Sequence, residues 1–278
     1  MIGSVPNVLT IAGSDPSGGA GIQADLKTFA ALGAYGCAVI TALTAQNTVV
    51  VSGVFPVPDE FLRAQLDAVF SDVRVDALKI GMLGTIGAAR VVASALRRYR
   101  PPFVVLDPVI QASSGARLLD TDAIAVLREE LLPLATVITP NAGEAASLLG
   151  IAPPRSVAEA CIAAKLLTAA GAAAALVTGG HLAEVELSVD VLHDGRVLAE
   201  FQVPRVANAS THGSGCTLSS AIAVGLALGH PLPQACADGQ RFVAASIAHG
   251  AALRVGRGAG PVHPLGELLA RASRAPRG

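Results

Sequence analysis

The sequence has little charge, and what charge it has is not clustered. Only 15% of the 278 residues are charged, the formal net charge is −1, and Lys and Arg are scattered along the chain. A protein that binds nucleic acid presents a basic surface, so we expect no nucleic-acid partner. Hydrophobic residues make up 52% of the chain, which supports a large core and excludes an intrinsically disordered protein.

Closely spaced cysteines are also missing. The four cysteines lie far apart and form no CxxC pair, which argues against a zinc site or a disulfide framework. We therefore expect reduced thiols, as in cytosolic proteins. These residues are Cys37, Cys161, Cys216 and Cys236.

No segment is typical of secretion or of membrane insertion. Met1–Ile11 lacks a basic region and continues into a strand-like run, so we expect no signal peptide. The most membrane-like stretch, Leu166–Ala183, is mostly Ala, Gly and Thr and is too weakly apolar to span a bilayer. These observations predict a soluble cytoplasmic protein with no membrane partner.

What the chain does contain is an alternation of short apolar runs and longer amphipathic runs. This order predicts an α/β fold, in which helices cover both faces of a mostly parallel central sheet. The predicted strands are Asn7–Ala12, Cys37–Leu43, Ala77–Ile80, Phe103–Leu106, Thr136–Thr139 and Ala174–Thr178. The predicted helices are Gly21–Leu32, Phe61–Phe70, Ile86–Tyr99, Ala123–Leu132, Ser156–Ala169, Cys216–Leu228 and Pro233–Leu253.

Two β-rich segments interrupt the alternation. Asp194-Gly195 separates Val189–His193 from Arg196–Phe201, which predicts a small β hairpin added to the sheet. Val49–Val57 is the second such segment.

The chain shows no Pro/Ser-rich or highly charged linker before its last residues. We therefore expect a single domain over residues 1–264. The residues from Gly256 onward are rich in Gly, Pro and Arg, and we expect a frayed tail over 265–278.

The segment Thr211–Thr217 carries the most chemistry. Gly213 and Gly215 allow a tight turn that directs successive backbone N–H groups to one place, and a long apolar helix follows. The positive end of that helix adds to the N–H groups, so the segment predicts an anion hole suited to a transferred phosphoryl group.

Cys216 lies in the first turn of that helix. The helix field lowers the pKa of a thiol there, so Cys216 is a candidate general base for a substrate hydroxyl. The alternative is a Gly-rich cap followed by a buried helix with an inert cysteine.

A second glycine-rich loop, Ala12–Gly21, also joins a strand to a helix. It fits neither the GxGxxG dinucleotide motif nor the GxxxxGK[ST] P-loop. Its small residues, with Asp15 and Asp25, suit closure over a compact polar substrate at the carboxyl end of a strand. The alternative is a flexible surface loop.

Polar residues follow two further predicted strands. Asp107 ends one, and Asn141 and Glu144 follow another, so together they predict an Mg²⁺ site that is completed by water. Asn141 and Glu144 equally fit a helix capping box, and capping is the better interpretation for Asn141. Gly179-Gly180-His181 is a further candidate for phosphate contact.

Several long motifs in order resemble the hydroxymethylpyrimidine/phosphomethylpyrimidine kinase family, within the ribokinase-like superfamily. The resemblance runs from about Val8 to about Pro264. Its motifs are AGSDPSGGAGIQADLKT (12–28), TALTAQNT (41–48), KIGML (79–83), DPV (107–109), SSGARLL (113–119), TPNAGEAASLLG (139–150) and THGSGCTLSSAIA (211–223).

The resemblance implies an ATP- and Mg²⁺-dependent kinase of thiamine biosynthesis that acts on a small pyrimidine and is commonly a dimer. It assigns the anion hole and base to Gly213, Ser214, Gly215 and Cys216. It assigns the pyrimidine contacts to Gly13, Ala20, Asp25, Gln46, Met82 and Val109. It assigns the nucleotide contacts to Asn141, Thr178, Gly180 and Thr211. Mg²⁺ would be organised by Asp107 and Glu144, and Ile110–Leu119 would form a lid.

One departure and two alternatives accompany the resemblance. Relatives often have Lys before Gly-Gly-His, whereas this chain has Thr178, which puts the affinity for ATP in doubt. A pyridoxal kinase is the alternative enzyme, although relatives with that activity carry a lid cysteine where this chain has Gln111–Ser114. A non-catalytic pyrimidine-binding regulatory protein is the alternative of another class.

Overall fold

The structure is a computed structural model of the 278-residue chain. It describes residues 4–110, 121–180, 182, 186–207 and 210–274. In that part of the chain, no helix is both long enough and apolar enough to cross a bilayer.

The described residues build one sheet of nine strands, in the order β3-β2-β1-β4-β5-β6-β7-β8-β9. Its strands are β1 (Asn7–Ser14), β2 (Tyr35–Gln46), β3 (Val51–Pro56), β4 (Ala77–Ile80), β5 (Val104–Leu106), β6 (Val137–Ile138), β7 (Ala175–Val177), β8 (Leu187–His193) and β9 (Leu198–Pro204). From β2 to β7, neighbouring strands in this order are parallel, whereas β3, β8 and β9 pair antiparallel at the two edges. The mostly parallel sheet and the added hairpin β8–β9 are therefore confirmed.

Helices separate the consecutive parallel strands along the chain. They are α1 (Gly21–Ala31), α2 (Asp59–Asp72), α3 (Ile86–Tyr99), α4 (Thr121–Val126), α5 (Ala142–Leu149), α6 (Val157–Ala169), α7 (Ser214–Ala227), α8 (Leu232–Gly250) and α9 (Gly266–Arg274). A π-helical turn and a 3-10 turn continue α4 through Leu134. The predicted helix Ala123–Leu132 therefore exists as three short pieces and not as one α-helix.

The sheet has a hydrophobic core on each face, because successive strand side chains point to opposite sides. Leu9, Leu78 and Leu106 face the side covered by α2 to α6. Their neighbours Val8, Ala77 and Val105 face the side covered by α1, α7 and α8, where Phe29 and Ile222 are fully buried. Burial on both faces explains why the strands read as continuous apolar runs.

The prediction of a frayed tail over 265–278 is wrong for the described part of that segment. Residues Gly266–Arg274 form α9, and the preceding residues are held as well, because His212 and Pro261 form a parallel bridge. Gly266 lies directly against His249 of α8, where a side chain would collide. The high Gly and Pro content of 256–264 reflects close packing of backbone and not disorder.

The topology gathers the functional candidates at one edge of the sheet. Parallel strands place their carboxyl ends together, and the loops that follow β1, β4, β5, β6 and β7 all leave from that edge. These loops contain Asp15, Met82, Asp107, Asn141 and Thr178.

Candidate active site

Two glycine-containing loops meet at the carboxyl edge of the sheet. We call residues 13–21 the N-terminal loop and residues 211–217 the glycine loop. Gly213 is the N-cap of α7 and has φ 82°, a conformation that favours glycine. A Cβ on Gly213 would collide with the carbonyl oxygen of Gly19. Gly213 therefore permits both the turn into α7 and the close approach of the two loops.

Only some backbone N–H groups of the glycine loop are available to bind an anion. The N–H of Ser214 already donates to Thr211 O at 3.1 Å, and the N–H of Thr217 donates to Gly213 O at 2.9 Å. Helix geometry leaves the N–H groups of Gly215 and Cys216 without an acceptor in the helix. This geometry is also compatible with the alternative of a glycine-rich cap followed by a helix. The helix nevertheless begins at the carboxyl edge of the sheet, where the other site candidates lie.

The prediction that the pKa of Cys216 is lowered is wrong for the ligand-free protein. Burial, together with the carboxylates of Asp107 and Asp25, raises the pKa of the Cys216 thiol to about 12. Lys79 and a hydrogen bond from the N–H of Gly21 oppose this shift but do not cancel it. Although the residue as a whole is half-buried, its sulfur lies in desolvated surroundings, and this desolvation is the main cause of the raised pKa. Cys216 is a neutral thiol at pH 7.

A fully buried ion pair supports this site from below. Lys79 Nζ lies 2.9 Å from Asp25 Oδ1 and 3.0 Å from Oδ2, and both side chains are 0% exposed. Burial lowers the pKa of Lys79, but the carboxylates of Asp25 and Asp107 outweigh burial, so the pKa lies above its ordinary value. Lys79 is therefore a permanent buried cation beneath the first turn of α7.

Asp25 does not lie where it could contact a substrate. Besides Lys79, its carboxylate accepts hydrogen bonds from Thr10 Oγ1 at 2.6 Å and from Ser220 Oγ at 2.7 Å. With no exposed surface, it links β1, β4 and α7 from within the core. Its prediction as a direct pyrimidine contact is corrected to that of a buried support.

Asp107 and Glu144 form a pair of buried carboxyl groups. Burial and, to a smaller extent, the charge of Asp107 raise the pKa of Glu144 to about 8. Burial also raises the pKa of Asp107, which accepts a hydrogen bond from Ser219 Oγ at 3.1 Å and lies 4.0 Å from Lys79 Nζ. Because the charge of Asp107 opposes the ionisation of Glu144, a divalent cation would stabilise this pair of carboxyl groups.

Asn141 and Glu144 form the capping box that was one interpretation of the sequence. Asn141 Oδ1 accepts from the N–H of Glu144 at 3.0 Å, and Glu144 Oε2 accepts from the N–H of Asn141 at 2.9 Å. The side-chain oxygen of Asn141 is thus occupied as the cap of α5. Glu144 caps the helix and also lies close enough to Asp107 for their charges to interact, so its position is compatible with both capping and the predicted Mg²⁺ site.

The loop after β7 contains two of the predicted nucleotide residues, Thr178 and Gly180. Thr178 is half-buried and bridges to Asn141, and Gly180 is exposed, with its carbonyl accepting from Arg205 Nη1 at 2.7 Å. Gly179 N–H donates to the buried Asp190 Oδ1 at 2.8 Å. The predicted nucleotide residues Asn141, Thr178 and Gly180 therefore lie on neighbouring strand ends, whereas the exposed Thr211 lies in the glycine loop.

Most of the residues assigned to the pyrimidine lie on or just after β1, β2, β4 and β5, whereas Asn141 and Thr178 follow β6 and β7. A Cβ on Gly13 would lie 3.5 Å from Met82, and Ala20 precedes α1. Gln46 is half-buried at the end of β2, and its Oε1 accepts from Thr44 Oγ1 at 3.2 Å. Val109 is half-buried just after β5, at the base of the predicted lid. Of that lid, Ile110 is buried and residues 111–119 lie outside the described residues, as does the segment Gln111–Ser114.

Sequence reasoning missed the polar residues that support the site. They are Thr10, Lys79, His212, Ser219 and Ser220. A lysine inside the apolar strand ALKI is a signal that could have found Lys79, because a charged residue in a strand buried on both faces requires a buried partner.

The nine-stranded, mostly parallel sheet with helices on both faces, and with glycine-containing loops and buried carboxyl groups at its carboxyl edge, is that of a kinase of the ribokinase-like fold. The structure superposes on Bacillus subtilis pyridoxal kinase, solved as an ADP complex, with a TM-score of 0.87 and 37% identity over 96% of this chain and 100% of that one. The model of the phosphomethylpyrimidine kinase family matches residues 15–263, and the chain belongs to that family.

Two curated relatives define the family resemblance further. A hydroxymethylpyrimidine/phosphomethylpyrimidine kinase from Rhizobium meliloti is 50% identical over 92% of this chain and 95% of its own length. A thiamine biosynthesis bifunctional protein from Geobacter sulfurreducens is also 50% identical over 92% of this chain, but the match spans only 52% of that protein.

Proposed function

We propose that this protein phosphorylates 4-amino-5-hydroxymethyl-2-methylpyrimidine with ATP, first to the monophosphate and then to the diphosphate, in thiamine biosynthesis. The observation that carries the proposal is the contact between the glycine loop and the N-terminal loop beside Asp107. A Cβ on Gly215 would lie 4.0 Å from Asp107 Oδ2, so the anion hole and the carboxyl pair face the same space. The relative from Rhizobium meliloti supports the substrate class.

The glycine loop would stabilise the charge of the transferred phosphoryl group. The N–H groups of Gly215 and Cys216 lie at the positive end of α7, where an anion is favoured. Phosphoryl transfer depends mainly on positioning and on neutralising charge, which is what this geometry offers. Gly213 and Ser214 shape the turn, since the N–H of Ser214 is already used by Thr211.

Cys216 would contact the hydroxyl of the first substrate. The first acceptor must lose a proton near the transition state, whereas the second acceptor, a phosphate monoester, is anionic at neutral pH. Because the thiol of Cys216 has a raised pKa, a role as base requires that pKa to fall during the reaction, and the nearby cation Lys79 is the group that favours the thiolate. A role in orienting the hydroxyl does not require that shift.

We also propose that Asp107 and Glu144 hold Mg²⁺ together with ATP. Among the residues that the structure describes, no group of three or more His, Cys, Asp or Glu could hold a metal alone. Two carboxyl groups that share a site with substrate phosphates are a usual arrangement for Mg²⁺. When bound, the ion would neutralise phosphate charge. Thr178, Gly180, Asn141 and Thr211 would line the nucleotide side.

The test is release of ADP from Mg·ATP by the purified protein, with the hydroxymethylpyrimidine and with pyridoxal in parallel. Release of two ADP per pyrimidine supports the proposal. Turnover with pyridoxal alone would replace it with the alternative enzyme and overturn the role of Gln46. Binding of the pyrimidine without ADP release would indicate the regulatory protein.

Three further proposals concern the extent of the kinase domain, its location in the cell and its oligomeric state. We propose that residues 1–264 act as one kinase domain in the cytoplasm, which agrees with four free cysteines.

We propose a homodimer, as the resemblance implies. Support comes from the exposed apolar surface at the β3 edge, where Phe55 is 65% exposed and Val54 and Leu43 are also exposed. Sedimentation of the protein and of Phe55→Glu tests it, since a monomeric wild type would contradict it.

A further inference from the structure

One buried contact joins the two loops of the site. His212 Nε2 lies 3.0 Å from Asp15 Oδ2, although the residues are 197 positions apart in the chain. Both are buried, and His212 directly precedes Gly213, the N-cap of α7. The contact therefore connects the N-terminal loop to the residue that sets the direction of the glycine loop.

Asp15 also determines the shape of the N-terminal loop. Its Oδ1 accepts from the N–H and the hydroxyl of Ser17 at 2.8 and 2.7 Å. Its Oδ2 accepts from the N–H groups of Gly19 and Ala20 at 3.2 and 3.0 Å. Burial opposes ionisation of Asp15, but His212 and Ser17 outweigh it, so the pKa of this carboxyl lies below its ordinary value. One carboxylate thus holds the loop and the histidine together.

His212 is fixed from the other side as well. Its N–H donates to Gly260 O at 3.2 Å, and its carbonyl accepts from the N–H of Val262 at 3.1 Å. The ring lies against Gly19, where any Cβ would collide with it. His212 therefore has little freedom to move independently of the N-terminal loop.

The contact between Asp15 and His212 affects the relative position of the first turns of α1 and α7. The N-terminal loop leads into α1, and the N–H of Gly21, its first residue, interacts with the sulfur of Cys216 in the first turn of α7. A shift of either loop would separate these two helix starts. Catalysis by positioning is sensitive to displacements of about 1 Å.

We propose that Asp15 and His212 form a positioning latch, which holds the glycine loop in register with the N-terminal loop so that both helix starts face one reacting group. The kinetic consequence of the latch rests on the proposed function. Its structural part does not, and can be measured without any ligand.

The structural part is tested by amide hydrogen exchange of the ligand-free protein. His212→Ala leaves the four loop contacts of Asp15 intact, and we expect exchange of the Ser17–Gly21 amides to accelerate at least about tenfold. His212→Gln retains a side-chain N–H donor of similar reach and should restore most of the protection.

Lys27→Ala is the matched control, because Lys27 Nζ donates to Gly18 O at 2.7 Å on the exposed side of the same loop. It should leave the Gly213–Thr217 amides unchanged. Unchanged exchange at Ser17–Gly21 in His212→Ala would overturn the latch.

The kinetic part is tested with the pyrimidine and Mg·ATP. We expect His212→Ala to lower kcat about 10- to 100-fold with less than about a threefold change in the KM for ATP, and His212→Gln to recover at least half of the loss on a logarithmic scale. An unchanged kcat with accelerated exchange would reduce the pair to a structural contact and overturn the positioning role. If the wild type does not phosphorylate the pyrimidine, the proposed function fails, and the exchange experiment still decides whether the loops are latched.

Discussion

Two regions of the molecule bury a carboxyl group to nearly the same extent but surround it differently. Asp25, beneath α7, is 0% exposed and pairs with Lys79 at 2.9 Å. Asp190, on β8, is 4% exposed, and its partners are the N–H of Gly179 and the neutral side chain of Gln240. Burial raises the pKa of Asp190 to about 6. The difference shows that the candidate active site maintains its buried charge with a dedicated cation, whereas the hairpin region does not.

The largest effect should come from removing that cation. Lys79→Met leaves Asp25 and Asp107 buried without a positive partner, and we expect the free energy of unfolding to fall by about 3–5 kcal/mol. Chemical denaturation measures this loss. Adding Asp25→Asn should restore part of it, because the stranded charge disappears. Strictly additive losses would mean that the pair is not the source of the effect.

The next effect concerns Cys216, on the charged side of the comparison. We expect Cys216→Ala to lower the rate of the first phosphorylation by about 10- to 100-fold and that of the second by less than about threefold, because only the first acceptor carries a proton to be removed. Single-turnover rates with the alcohol and with the monophosphate measure the two steps separately. Equal losses would indicate that Cys216 positions groups and does not act on the proton.

Asp190 provides the opposite test. Asp190→Asn keeps a side-chain oxygen for the N–H of Gly179 and removes the cost of a buried charge, so we expect a gain of up to about 3 kcal/mol above pH 6. Since the pKa of Asp190 is raised in the folded state, the wild type binds its proton more tightly when folded, and this group makes stability fall as pH rises from about 4 to about 6. The gain should therefore vanish near pH 4.

Thermal unfolding of both proteins across this pH range is the measurement. Only the difference between the variant and the wild type isolates Asp190, because Asp107 and Glu144 also have raised pKa values. A variant that is less stable at pH 8 would show that the charged carboxylate is needed to hold Gly179.

The sequence located most elements but not the environment of the site. Strand Ala77–Ile80 and helix Ile86–Tyr99 match their predicted bounds, because their hydrophobic patterns are local. Helix Ala142–Leu149 was not predicted, although its Asn141–Glu144 box was recognised as one alternative. The prediction for the pKa of Cys216 failed because a helix position is a local property, whereas burial beside Asp25 and Asp107 depends on packing between distant segments.

The smallest effect tests the nucleotide side. Thr178→Lys introduces an ammonium beside Gly180, at the strand end that we assign to the ATP phosphates, and we expect the KM for ATP to fall about two- to tenfold with kcat little changed. Thr178→Met is the control of similar length without charge, and it should leave the KM near the wild-type value. Because Thr178 is half-buried and not enclosed, the gain from Lys should shrink as ionic strength rises. An equal gain from Met would attribute the change to packing, and no change with Lys would mean that Thr178 does not face the nucleotide.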